Sequence, residues 1–141
     1  MFQQIGGERY RGFAKLAYPD GKPVGLIQYL PKPDEKLVEI TCIFVLEEEN
    51  LRKGISKALL HAIMDEMRKP KPYLNDEAPL GLVTWAFQVP GRYPQHEFYR
   101  KMGFKQASGD DPFLLYYPLR EGFVYAPKDR EYVPQEVGVK P

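Results

Sequence analysis

At 141 residues the chain has the length of one globular domain and no room for a second full one. Hydrophobic residues make up 43% and charged residues 28%, enough apolar surface to offset the entropy of ordering, which excludes disorder throughout. Lys and Arg number 20 against 19 Asp and Glu, so the summed field does not draw polyanions: no nucleic-acid partner is expected, and any anion site must be local.

The opening MFQQIGGERYR has no apolar core of signal-peptide length, and no apolar run is long enough to span a bilayer. A soluble, cytoplasmic protein without a membrane partner is expected. Gly12 to Ala17 and Val24 to Leu30 are short β-like runs on either side of Tyr18-Pro19-Asp20-Gly21, which predicts a hairpin. After the Pro31-Lys32-Pro33-Asp34 break, Leu37 to Leu46 is nearly continuously apolar, as a central strand covered on both faces requires. The single cysteine, Cys42, lies in this run and reads as a buried structural thiol.

From Leu51 to Arg68 the apolar period lengthens to that of a helix. Ile55, Ala58, Leu59, Ala62, Ile63 and Met67 share one arc, with Lys53, Lys57, His61, Asp65 and Arg68 opposite. Lys69 to Pro79, with three prolines, ends it in a long loop. Leu80 to Phe87 (LGLVTWAF) reads as the next strand, and Pro94 suits the first turn of a short helix carrying His96, Phe98, Tyr99 and Met102. Met102-Gly103-Phe104 reads as its stop, with Gly103 as a left-handed cap and Phe104 as the apolar contact beyond it. A strand should follow, then another at Phe113 to Leu119.

This order predicts an α/β (α+β) fold, a mixed sheet packed with helices. Residues 1–125 form the one domain, and 126–141 a polar C-terminal tail, mobile or docked on a partner. Tyr116, Tyr117, Tyr125 and Tyr132 suit sheet surface or a partner site.

The chemistry concentrates in Glu47 to Leu60, where a strand feeds a turn containing Gly54 and Ser56 into the main helix. Backbone N–H groups there point outward at the positive end of the helix dipole, a cradle for a diphosphate, with Arg52, Lys53 and Lys57 adding positive charge. An ordinary helix start with an acidic lead-in at Glu47, Glu48 and Glu49 fits the same residues. Two histidines without clustered acids or thiols offer no metal site, and no Ser-His-acid or Cys-His motif is present. Trp85 reads as core.

LRKGISKALL resembles the coenzyme-A-binding turn and helix of the GNAT N-acetyltransferase superfamily, and FYRKMGF (Phe98 to Phe104) resembles its second hallmark. Together with the strand before each, the likeness spans residues 37 to 104. Leu51 stands where Arg or Gln is usual, Ser56 where Gly or Ala is usual, and Arg92 where Asn commonly precedes the second motif. Eleven residues precede Gly12, where the family normally has a strand and two helices, so the chain resembles the family without its opening segment: one domain of a longer polypeptide, a trimmed variant, or a protomer completed by a second copy or another partner.

The resemblance further implies a mostly antiparallel central sheet, a main helix after the central strand and a short second helix. It implies an acetyltransferase that uses acetyl-CoA as co-substrate, without a metal. The central strand and the Leu80 strand should splay, so that pantetheine pairs near Phe44, Val45 and Leu46 and the diphosphate rests on Leu51, Arg52, Lys53, Gly54, Ile55, Ser56 and Lys57. A small-molecule or peptide amine would attack the thioester directly. Tyr99 would protonate the departing thiolate, against the alternative of a packed tyrosine. Glu39 would take the amine's proton through water, against that of a solvated strand end. A non-catalytic CoA-binding or protein-interaction module of the same fold is the alternative function.

Overall fold

The computed structural model describes residues 2–7, 12–18, 21–45, 54–86, 95–107 and 109–127. β2 (Gly12–Ala17) and β3 (Gly25–Lys32) pair antiparallel from Phe13↔Tyr29 to Ala17↔Gly25, the hairpin that the turn chemistry predicts. β3 continues through Pro31 and Lys32, past its last pair with β2, where among the described residues only β4 pairs with it. A strand tolerates proline in that one-sided setting. The sequence assigns no element to residues 2–7 and predicts an opening without the family's strand and two helices. The structure has a strand there, β1 (Phe2–Gly7), paired antiparallel with β2, and the four residues 8–11 between them are too few for two helices.

β4 (Leu37–Val45) pairs antiparallel with β3 and parallel with β5 (Gly81–Trp85). A parallel pair needs a crossover, and α1 (Ile55–Glu66) provides it. β5 then pairs antiparallel with β7 (Leu114–Pro118), which carries the two-residue β6 (Lys105–Gln106) on its outer edge. The seven strands follow the order β1-β2-β3-β4-β5-β7-β6 and form the mixed, mostly antiparallel sheet expected.

One sheet face packs against the helices: Ile27, Val38, Ile40, Leu82 and Leu115 meet Leu59, Leu60 and Ile63 of α1 and Tyr99 of α2 (Gln95–Lys101). The buried arc of α1 is Ile55, Leu59, Leu60, Ile63 and Met64, so Leu60 and Met64 take the places expected of Ala58 and Ala62. A buried Leu or Met contributes roughly 1.5–3 kcal/mol, far more than a methyl, which turns the helix toward the larger side chains. Glu66 at its end is bridged by Lys15 of β2 at 2.5 Å and by Lys71 at 3.1 Å. The other face buries Leu37, Val83, Leu114 and Tyr116 beneath Phe123 and Tyr125. Tyr116 and Tyr125 are therefore core residues, not sheet surface, while Tyr132 lies outside the described residues.

β4 is covered on both faces only as far as Ile40; beyond it Thr41, Cys42 and Phe44 are exposed. This corrects the buried thiol expected at Cys42, which stands at the surface.

Candidate active site

The parallel ladder between β4 and β5 runs from Leu37↔Gly81 to Ile40↔Thr84 and stops, yet β4 goes on to Val45, where β3 alone pairs with it among the described residues. A bulge marks the parting: Gln28 and Tyr29 of β3 face Cys42 and Ile40, leaving Thr41 as the extra residue on β4. Past the fork, β4 has an edge that no described strand pairs with, which suits an extended chain that brings its own amides.

Thr84 closes the apex of the fork. Its Oγ1 donates to the Ile40 carbonyl at 2.9 Å, so a side chain takes over where the backbone ladder fails. The same hydroxyl favours the charged form of the Tyr99 phenol, against the larger effect of burial. The sequence reading missed Thr84, although a hydroxyl inside the apolar strand LGLVTWAF was itself a signal, since buried hydroxyls require partners.

Tyr99 is held by the stop of α2. Phe104 donates its N–H to the Tyr99 carbonyl at 3.0 Å and Gly103 donates to the Arg100 carbonyl at 3.0 Å, the paired bonds of a Schellman termination. Gly103 has φ +102°, which a side chain would strain, as its predicted role as cap requires. Tyr99 is 1% exposed. Burial pushes its phenol well above the ordinary range, the hydrogen bond from Thr84 works against that shift, and the Cys42 thiol adds to it. The phenol is thus neutral across physiological pH, the state from which a proton can be given.

Glu39 precedes Ile40 on β4 and, by strand alternation, its side chain belongs to the opposite face. It is buried, not a solvated strand end, and Lys32 reaches its carboxylate at 3.5 Å. Phe44 is exposed and Val45 half-buried, both on the stretch of β4 beyond the fork. Burial lifts the Cys42 thiol above its ordinary range even at this exposed position, because the sheet shields one side of it.

Gly54 opens α1 with φ +75°, and no side chain caps the helix. No acidic residue stands in its first turn, so nothing described there competes with an anion for the helix N–H groups. The Ile55 side chain is buried, leaving only its backbone for a ligand; Ser56 is half-buried and Lys57 exposed. Leu46, Leu51, Arg52 and Lys53 lie outside the described residues, as does Arg92. Trp85 is half-buried and donates Nε1–H to Asp111 at 2.8 Å, a structural contact. Among the described residues no group of three or more His, Cys, Asp and Glu could hold a metal, and no helix is long and apolar enough to cross a membrane.

A family model described as Acetyltransferase (GNAT) family matches residues 2–104. No curated protein matches the chain. Among solved structures, an acetyltransferase of the GNAT family from Desulfovibrio desulfuricans superposes with TM-score 0.63 at 20% identity, covering 80% of this chain and 73% of that one. The IAA acetyltransferase from Bacillus cereus superposes with TM-score 0.60 at 18% identity over 84% of this chain and 98% of its own. The PaiA N-acetyltransferase of Thermoplasma acidophilum, solved in complex with coenzyme A, gives TM-score 0.55 at 19% identity over 74% of this chain and 59% of its own. At these identities the superpositions establish a shared fold.

Proposed function

The chain belongs to the GNAT acetyltransferase family, and from that premise we propose that it is a cytoplasmic N-acetyltransferase that moves acetyl from acetyl-CoA to a primary amine by direct attack. The observation that carries this reading is the fork: β4 loses β5 after Ile40, and the Thr84 hydroxyl closes its apex on the Ile40 carbonyl. Acetyl-CoA supplies the activated thioester. Its pantetheine amides would pair, as an added strand does, with backbone groups near Phe44 and Val45 at the end of β4 and Leu46 after it. Its diphosphate would rest on Leu51, Arg52, Lys53, Gly54, Ile55, Ser56 and Lys57, the last four at the start of α1, where N–H groups without a side-chain cap and the helix dipole favour an anion.

An N–H of β4 near Phe44 to Leu46 would steady the developing oxyanion. Tyr99, neutral by burial, gives its proton to the departing thiolate. Glu39, the one acid of β4, takes the ammonium proton through water. The acceptor is a small-molecule or peptide amine, met on the exposed face beyond the fork, which a second copy or another partner would complete. A single surface cysteine suits a reducing compartment.

The near-complete burial of Tyr99 supports a second reading, in which the tyrosine only packs and the domain binds CoA or a protein without catalysis. Thermal unfolding with and without acetyl-CoA is the test, with dephospho-CoA and adenosine as controls. At about a hundred times Kd a ligand of the folded state stabilises by about 2.7 kcal/mol, a readable rise in Tm. No rise at saturating acetyl-CoA overturns both CoA-binding readings. A rise without turnover of any amine favours the second.

A further inference from the structure

The sheet face opposite the helices holds a cavity that the candidate active site does not use. Its volume is about 290 Å³, and it lies between the turn at 34–37 and the segment 123–126, at the start of β4. Phe44, at the far end of β4, is roughly 23 Å away at about 3.3 Å per residue. Both walls are held by the fold. Glu35 donates its N–H to the Lys32 carbonyl at 3.1 Å, and Leu80 donates to the Lys36 carbonyl at 2.8 Å. Phe123 lies so close over Gly81 that a Cβ there would stand 2.9 Å from its ring. The Tyr116 ring is flanked by those of Phe123 at 6.0 Å and Tyr125 at 6.4 Å.

Acid dominates the charge of this lining. Lys36 Nζ is already met by Glu77 at 3.2 Å, whereas Asp34 and Glu35 have no basic partner among the described residues. Glu35 Oε1 is buried and accepts no hydrogen bond. A carboxylate oxygen shut off from water without a donor is costly, and the terminal torsion of Glu turns readily, so a donor entering the cavity can reach it. We propose that this cavity binds an organic ammonium ion, carried by a free amine or by the lysine side chain of a peptide. The ammonium donates to the Glu35 carboxylate, and Leu37, Phe123 and Val124 take the alkyl stem. Aromatic rings beside the carboxylate add attraction for a cation. A volume at the small end of ligand pockets suits a stem of a few carbons.

The site is independent of acetyl transfer, so its test needs none. n-Butylammonium chloride is added to the full-chain protein labelled with nitrogen-15, with n-butanol and sodium chloride at matched concentrations as controls. The N–H resonances of Glu35, Lys36, Val124 and Tyr125 should shift saturably with the amine and not with the controls. Glu35→Gln should weaken the amine about tenfold or more. Should that variant lose Tm, Glu35→Ala, which leaves no polar atom there, carries the same comparison. Saturating acetyl-CoA should leave the shifts in place. A Gly-Lys-Gly peptide blocked at both ends is the second arm: tighter binding than butylammonium assigns the site to a lysine side chain, weaker binding to a free amine. Absence of shifts with both, equal shifts with butanol, undiminished binding by the Glu35 variants, or displacement by acetyl-CoA each overturns the site. Failure of the chain to bind acetyl-CoA removes the proposed function and leaves this site standing.

Discussion

Phe104 donates its backbone N–H to the Tyr99 carbonyl at 3.0 Å and lays its ring 4.9 Å from the Tyr99 ring. The residue that ends α2 therefore also sets the height and tilt of the candidate acid. Between them, Gly103 must hold φ +102°, and a Cβ there would stand 3.1 Å from the Tyr117 ring. Gly103→Ala should lower stability by about 1–2 kcal/mol through backbone strain, with Gly103→Asn milder. Urea midpoints measure both; an unchanged midpoint for the alanine variant would show that the helix stop does not depend on this glycine.

Tyr99→Phe removes the phenol and keeps the ring stack. With an acceptor in hand, kcat should fall while acetyl-CoA affinity holds, because the hydroxyl serves the leaving thiolate and not the binding of CoA. Since burial holds this phenol above the ordinary tyrosine range, the wild-type rate should show no loss of the acid form below about pH 10. A loss of Tm with rate unchanged would assign Tyr99 to packing.

Stability should decline in alkali. Tyr73 is pushed up to about 12, first by burial and then by the charge of Glu66, and Tyr99 lies higher still. An unfolded tyrosine loses its proton near pH 10, so above that point the folded chain holds more protons than the unfolded one. Stability is then full below about pH 10 and lost as pH rises toward 12. Urea midpoints between pH 9 and about 11 should fall with pH, and Tyr73→Phe should flatten the slope.

Lys57 is exposed beside the uncapped start of α1. Lys57→Glu should leave Tm unchanged and weaken acetyl-CoA binding severalfold, with the difference shrinking as salt is raised. Isothermal titration at two salt concentrations measures this. Equal affinities in low salt would move the diphosphate away from this helix end.

Cys42 should alkylate in the native protein more slowly than a free cysteine at pH 7, and faster as pH rises, since its thiol is held above the ordinary range. Mass spectrometry of the single adduct follows the rate. Acetyl-CoA seated in the fork should slow it, and a thiol inert in the native state would place Cys42 in the core after all.

The elements whose signals are local were legible. The hairpin, the helix that crosses from β4 to β5, and the stop at Met102-Gly103-Phe104 each rest on turn chemistry or periodicity within a few residues, and all three appear in the structure. The rotation of α1 toward Leu60 and Met64 was not legible, because a periodic arc with alanines at its margin fits the heptad as well as one without. β1 escaped notice because FQQIGG carries no clear alternation and gains its strand from β2 alongside.

The amino-acid sequence by itself determined the fold class, the order of its elements and the two motifs that tie the chain to its family, since each is written in residues that neighbour one another. Only the tertiary structure decided that Cys42 is exposed, that Glu39 is bridged by Lys32, and that Thr84 caps the Ile40 carbonyl. Those facts depend on where the β4–β5 ladder stops and which hydroxyl takes up the carbonyl it leaves behind. Ile40 and Thr84 are 44 residues apart, and no local pattern encodes a contact made across that distance.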